Sequence, residues 1–338
     1  MTKTTFQQAC EAYIEAHAQK RHYSGAVLVA KGSGRDDQEV LFSKAYGLAN
    51  REWDVPNTID TKFRIGSVTK QFTAAAVLRL VEQGKLDLDA PMSTYLSSPV
   101  FPADKGDILT AFLLLTHQSG LPNCTDLPEY ESAIARKLHA APVDTLAYFK
   151  DLPFEFEPGT KVAYSNSNYQ VLTVLIETVS GEGWVDVLRK EVLEPLGLND
   201  TGVEVSSKLL KHRASGYELE DGKIQNASYV DMGFPLGAGA MYSTVGDLHR
   251  WTVALAEPGR LLSQKSLDRM YNVPAVFPDP KNENTWWGCG LMCEMDATGL
   301  RRIEHGGSIN GAFKRPASFS FLMCAGSFGR RSRSRGRR

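Results

Sequence analysis

Apolar residues recur at helical spacing near the start of the chain. Phe6, Cys10, Tyr13, Ile14 and His17 fall on one face, and the pattern predicts a helix over residues 6–20. Residues 24–30 (SGAVLVA) and 40–46 (VLFSKAY) read as strands either side of the polar loop 31–38. Residues 67–83 form a strong amphipathic pattern: Phe72, Ala75, Ala76, Leu78 and Leu80 are apolar, and Gly84 ends the run. Residues 86–107 are rich in turn formers. A mainly helical middle opens at 108–115 and predicts further helices at 143–151, 167–180 and 183–193, with LEPLG at 193–197 as a stop. After the small-residue stretch 237–244 (GAGAMYST) the pattern predicts a helix at 245–256. Two strands follow, at 287–294 and 301–304, around a turn at 296–299.

The order is strands with one helix, then a helical block, then strands again. It predicts that the two distant strand groups share one sheet, interrupted by the helical block, in an α/β (α+β) fold. The expected boundaries are a discontinuous sheet domain over 1–85 and 230–311, and a mainly helical domain over 86–229. The cleft between such parts is a common place for an active site.

Composition narrows the class. The chain has 338 residues, 42% hydrophobic and 23% charged, which excludes collagenous and wholly disordered chains. No apolar run reaches the roughly 18 residues of a membrane helix. Residues 1–20 contain no apolar signal core, so a cytoplasmic location is expected, with a periplasmic or secreted one only after trimming of the N-terminus. The net charge of −1 hides a split: residues 312–338 carry eight basic residues and no acid, while the rest is acidic. An acidic body argues against nucleic-acid binding. The five cysteines, Cys10, Cys124, Cys289, Cys293 and Cys324, are scattered and odd in number, so no disulfide framework is expected. Cys289 and Cys293 lie in the apolar run WWGCGLMCEM and read as buried thiols rather than metal ligands.

Three fragments carry candidate chemistry. Ser67 and Lys70 open the strong helix at spacing i, i+3, so hydroxyl and amine share one face near the free N–H groups of a helix start. An ammonium there is disfavoured, more so if buried, which would let Lys70 accept a proton. The Ser67 N–H could serve an oxyanion. The bland alternative is an exposed capping serine. Tyr164-Ser165-Asn166 precedes a helix: a tyrosine beside cations can ionise below its usual pKa of about 10 and act as a base, and Asn166 can donate to a substrate carbonyl. Taken alone it is also a turn with a capping serine. His305-Gly306-Gly307 ends a strand, where paired glycines let a substrate backbone lie along the edge and the imidazole could donate a hydrogen bond or a proton. Taken alone it is also a tight turn. His17, His22, His117, His139, His212 and His249 lack ligand-like spacing and read as structural or surface groups.

In this order and spacing the three fragments resemble the serine β-lactamase and penicillin-binding protein superfamily, on its class C-like branch. FRIGSVTKQFTAA, LLLTHQSGLP, EPGTKVAYSNSNY and GAGAMYSTVGDL add to the likeness, which covers residues of about 20 to 311. The resemblance implies a mixed antiparallel sheet with flanking helices, an inserted helical domain, and a site between them. It implies acyl transfer through Ser67, with Lys70 and Tyr164 sharing the proton and His305 assisting the leaving group. The oxyanion would lie between the N–H groups of Ser67 and Ser308, with Asn166, Gly306 and Gly307 on the substrate. No metal or organic cofactor is implied. The expected substrate is a small ester, lactam or peptide. Where β-lactamases usually carry Lys-Thr-Gly this chain has His305, which favours esterase or small-peptidase activity over efficient β-lactamase activity. The alternatives are an acyltransferase that passes the acyl group to an alcohol, and a catalytically impaired relative.

The likeness stops near residues 311–313. Relatives continue with further strands and a closing helix; here KRPASFSFLMCAGSFGRRSRSRGRR follows, with six arginines in its final nine residues. The expectation is an altered C-terminus: one replacement strand from 317–325, no docked closing helix, and a disordered basic end.

Overall fold

The computed structural model describes residues 3–21, 23–32, 37–128, 140–272, 284–296, 301–309 and 319–323. Helix α1 (Lys3–Arg21) lies on the hairpin of β1 (Gly25–Lys31) and β2 (Glu39–Tyr46). Gln7 Nε2 donates to Leu41 O at 3.0 Å, and Lys44 pairs with Glu11. Two short strands, β3 (Leu48–Asn50) and β4 (Val55–Pro56), follow, and then β5 (Phe63–Arg64), a 3-10 turn at Gly66–Val68 and α2 (Thr69–Glu82). This turn-then-helix is the local form of the predicted 67–83 pattern.

Helix α2 is buried on nearly every side rather than on one face: Phe72, Ala74, Ala75, Ala76, Val77, Leu78 and Leu80 all lie in the core. Small side chains on α2 allow close helix packing. Trp251 stacks on Phe72 with ring centroids 4.2 Å apart, and its indole N–H satisfies the buried Gln71 Oε1 at 2.8 Å.

The helical middle contains α3 (Ala103–Gly106), α4 (Ala111–Leu115), α5 (Pro142–Thr145), α6 (Asn166–Ser180), α7 (Trp184–Leu188) and α8 (Glu194–Leu196). Thr110 caps α4 by accepting from Leu113 N at 3.2 Å. A π-turn at Arg189–Leu193 joins α7 to α8, so helix runs into LEPLG. Pro195 is tolerated there because it sits in a first turn, and Gly197 stops the run at φ +63°. Strand β6 (Gly202–Val203) and the hairpin β7 (Tyr217–Glu220)–β8 (Lys223–Asn226) also fall inside 86–229. Strand β6 pairs with β9 (Met241–Ser243), which pairs in turn with β5. This ladder ties the segment before Ser67 to the segment after the helical block.

Helix α9 (Val245–Ala256) is as predicted. Helix α10 (Gln264–Tyr271), capped by Ser263, is not in the sequence reading, although Leu267, Met270 and Tyr271 are its buried face. The predicted strand at 287–294 is instead a hairpin of β10 (Thr285–Gly288) and β11 (Leu291–Met295). Gly290 turns it at φ +74°, a conformation β-carbon-bearing residues avoid, and a Cβ there would lie 2.6 Å from Lys70 O. The hairpin tip therefore sits against α2. Cys289 and Cys293 are buried in it as structural thiols, with burial pushing each up to about 12.

Strand β12 (Arg301–Gly307) joins β11 on one edge and β13 (Phe319–Met323) on the other. The order β10-β11-β12-β13 is antiparallel throughout. Strand β13 lies within the apolar stretch 317–325; residues 297–300, which hold most of the turn expected at 296–299, and the basic end 324–338 lie outside the described residues. No strand among the described residues joins the two groups expected to share one sheet. Among the described residues β1–β2 and β10–β13 are separate ladders. The outer edges of β1 and β13 have no described strand between them, and register needs a continuous hydrogen-bonded neighbour. No described helix is long and apolar enough to cross a membrane.

Candidate active site

Four segments meet at the start of α2. Ser67 stands in the Gly66–Val68 turn, half-buried. The end of β12 runs directly against that turn. A Cβ on Gly307 would lie 1.9 Å from Ile65 O and 3.2 Å from Ser67 N, so only glycine permits the approach. Gly66 is held at φ +49°, and a Cβ there would lie 2.8 Å from Ser308 N. Ser67 and Ser308 thus present neighbouring backbone N–H groups, neither with a backbone acceptor among the described residues. Pairing between β11 and β12 ends at Glu304. The β11-side edge of His305–Gly307 is therefore without a strand partner among the described residues, and Gly306 is exposed there.

Lys70, the second residue of α2, is fully buried. Its Nζ lies 2.8 Å from Asn166 Oδ1, 2.8 Å from Ala238 O and 3.2 Å from Ser67 Oγ. No carboxylate pairs with it among the described residues, and burial lowers its pKa to about 7. Two carbonyl-type oxygens can only accept, so they take two amine hydrogens in either protonation state. The third direction faces a hydroxyl, which can accept from the ammonium or donate to the amine lone pair.

Tyr164 completes the contact set: its hydroxyl donates to Ser67 Oγ at 2.8 Å. Here the sequence reading is corrected. Burial pushes the Tyr164 hydroxyl well above its ordinary range, so the phenol stays protonated at neutral pH rather than ionising. The hydrogen bond to Ser67 pulls the other way but does not offset the desolvation.

Asn166 is held from behind. Its Nδ2 donates to Asn123 Oδ1 at 3.3 Å and to Thr125 Oγ1 at 3.2 Å, which turns its Oδ1 toward Lys70. Asn123 Oδ1 also takes the Asn166 N–H at 2.9 Å.

His305 is buried, with its Nδ1 2.5 Å from Gly306 O. A carbonyl only accepts, so Nδ1 carries the hydrogen and Nε2 is an acceptor, without a partner among the described residues. Burial, with Lys70 nearby, lowers its pKa to about 3. The ring therefore holds no charge at neutral pH. That corrects the expectation of a proton donor at this position: its one N–H is already committed to the backbone. Trp287 lies beside it, 5.6 Å from the His305 ring and 5.4 Å from the Tyr164 ring.

The structure thus brings together Ser67, Lys70, Tyr164, Asn166, His305, Gly306, Gly307 and Ser308. The sequence reading missed the groups around them: Asn123 and Thr125, the Ala238 carbonyl, Trp287 and His117. GAGAMYST and THQSG were visible as fragments, but nothing in them announces an acceptor for a lysine 168 positions away.

Compared with known proteins, the family model described as Beta-lactamase matches residues 10–317. A Bacillus subtilis (strain 168) relative named as a penicillin-binding protein, PbpX, is 31% identical over 249 residues, 74% of this chain. The match covers 59% of that relative's own length. The crystal structure of a penicillin binding protein from Bacillus halodurans superposes with a TM-score of 0.74 at 28% identity, covering 88% of this chain and 87% of the other. A D-stereospecific amidohydrolase from Streptomyces sp. superposes with a TM-score of 0.75 at 26% identity, covering 92% and 88%.

Proposed function

The chain belongs to the Beta-lactamase family, and from that premise we propose that it is a serine hydrolase that forms an acyl-enzyme on Ser67 and hydrolyses small amides and esters. The observation that carries the reading is the placement of Ser67 Oγ between a protonated Tyr164 hydroxyl at 2.8 Å and the Lys70 amine at 3.2 Å, with the lysine poised at about 7.

In the amine form Lys70 spends two N–H groups on Asn166 Oδ1 and Ala238 O and keeps its lone pair for the Ser67 proton. Ser67 Oγ then bonds to the substrate carbonyl carbon. Its proton moves to Lys70, and the oxyanion is met by the N–H groups of Ser67 and Ser308. Collapse breaks the bond to the leaving nitrogen or oxygen. Tyr164, which donates toward Ser67 Oγ, hands that leaving atom its proton and is replenished by the Lys70 ammonium. Water repeats the sequence in reverse and releases the acid. His305 takes no part in moving the proton; neutral and tied to Gly306, it fills the space beside Tyr164.

The absence of a permanent cation at the third motif favours substrates without a free carboxylate next to the reacting bond. The likeness to a D-stereospecific amidohydrolase supports D-amino-acid amides within that class. The test is intact mass spectrometry after a fluorophosphonate, followed by turnover of D-phenylalanine amide and of a short p-nitrophenyl ester. A single adduct on Ser67, lost in Ser67→Ala together with turnover, is expected. Turnover that survives Ser67→Ala at a comparable rate overturns the reading.

A further inference from the structure

His117 sits directly beneath the tyrosine that touches Ser67, and none of the steps above uses it. It is completely buried. Its backbone has φ +59°, in the left-handed region, which costs a residue with a Cβ roughly 1 kcal/mol and where histidine is among the residues that occur more often.

Its contacts converge on one short segment. The His117 carbonyl accepts from Ala163 N at 3.0 Å, just before Tyr164. Its Nδ1 accepts from Ser165 N at 3.2 Å, just after Tyr164. Its ring lies on the Tyr164 ring with centroids 4.6 Å apart. Asn168 Nδ2 is also within 3.4 Å of Nδ1. Tyr169 at 5.4 Å and Trp287 at 4.9 Å also pack around the ring. Both backbone neighbours of the tyrosine and the tyrosine ring itself are therefore fixed by one residue.

The backbone N–H of Ser165 can only donate, so Nδ1 bears no hydrogen and Nε2 does. The titratable groups about the ring are Lys70, His305, Tyr164 and Tyr169; none is an anion at neutral pH, because burial raises both tyrosines, and burial favours the uncharged imidazole as well. Protonating Nδ1 would break the Ser165 anchor and bury a cation beside Lys70.

We propose that His117 is the positioning residue for Tyr164: in its Nε2–H tautomer it clamps residues 163–165 and thereby holds the Tyr164 hydroxyl on Ser67 Oγ. The consequence for the reaction rests on the hydrolase reading above; the tautomer and the clamp do not.

The test uses the full chain in two arms. In the first, histidine-labelled protein is followed by nitrogen NMR. The His117 shifts should report a bare Nδ1 and a protonated Nε2, unchanged from pH 5 to 9. A hydrogen on Nδ1, or titration near the ordinary histidine value, overturns the proposal. In the second, His117→Phe keeps a ring but loses the acceptor, while His117→Asn keeps an acceptor at the Nδ1 position and tolerates the backbone. His117→Phe should lower kcat on the order of 10²-fold, the scale expected for a reacting group misplaced by about 1 Å, with KM changed by less than about 3-fold. His117→Asn should return kcat to within about 10-fold of the parent chain. Equal losses in the two variants, a loss confined to KM, or an unchanged kcat in His117→Phe overturn the proposal. If the parent chain shows no Ser67-dependent turnover, the hydrolase reading fails, and the nitrogen shifts alone decide whether His117 holds the tyrosine segment.

Discussion

The carbonyl of Ala238 accepts a hydrogen bond from Lys70 Nζ at 2.8 Å, across 168 positions of sequence. This contact and the matching one to Asn166 Oδ1 give the buried amine two partners that never compete for its lone pair. They also make its protonation state decide which way the Ser67 hydroxyl points. A lysine paired with a carboxylate would be locked as an ammonium; one held by carbonyls alone is left free to lose its proton.

Acylation should therefore rise with pH through about 7. Above that value the amine has its lone pair directed at Ser67; below it the ammonium donates to Oγ and the base is lost. Single-turnover acylation with a p-nitrophenyl ester across pH 5 to 9 checks this. Lys70→Arg, whose guanidinium stays charged throughout, should abolish the rise and the activity with it. A flat profile in the parent chain would remove Lys70 as the base.

Lys70→Ala and Tyr164→Phe should each reduce kcat by at least about 10²-fold. Their effects should not multiply, because both serve one proton path through Ser67 Oγ. A double variant whose loss equals the product of the single losses would count against that shared path.

The parts of the site that were legible in sequence are those where chemistry and local structure coincide. Ser67 and Lys70 are readable because a helix start aligns i and i+3. Tyr164, Asn166 and His305 are readable because each stands at an element boundary beside turn formers. What escaped the sequence depends on tertiary approach. Ala238 is a backbone oxygen, and any residue type offers one. The hairpin at Cys289-Gly290 hides in an apolar run, because buried strands on both sides of a tight turn look like one strand. The Tyr164 shift runs opposite to the sequence expectation for the same reason: the burial that raises it exists only once distant segments have met around the hydroxyl.

Gly307→Ala should uncouple the strand from the Ser67 turn. The new Cβ would meet Ile65 O at 1.9 Å, backbone against backbone, so β12 has to retreat. A stability loss of about 1–3 kcal/mol by denaturant titration is the usual scale for such overpacking. Fluorophosphonate labelling of Ser67 should slow as well, since the Ser67 and Ser308 N–H groups separate. Gly306→Ala is the control for stability, because its Cβ would meet nothing within 4 Å. Equal stability losses from the two variants would mean that the close approach of β12 is not what holds the Ser67 turn.

Acid stability supplies an independent reading of the two buried imidazoles. Burial lowers His305 to about 3 and holds His117 well below its ordinary value. In the unfolded chain both return to roughly 6.5. Between the folded and unfolded values the unfolded chain binds protons that the folded chain refuses. Stability is thus full above about pH 6.5 and drains away as pH falls toward 3, by up to about 1.4 kcal/mol per pH unit for each site. Carboxylates titrate in the same range, so the parent chain alone cannot isolate the effect. The difference between variants can. His117→Asn and His305→Asn each remove one titrating ring and leave the carboxylates in place, so each should lose less melting temperature between pH 7.5 and pH 4.5 than the parent chain does. Parallel losses in all three proteins would mean that these imidazoles already accept protons in the folded state and that the site is not neutral.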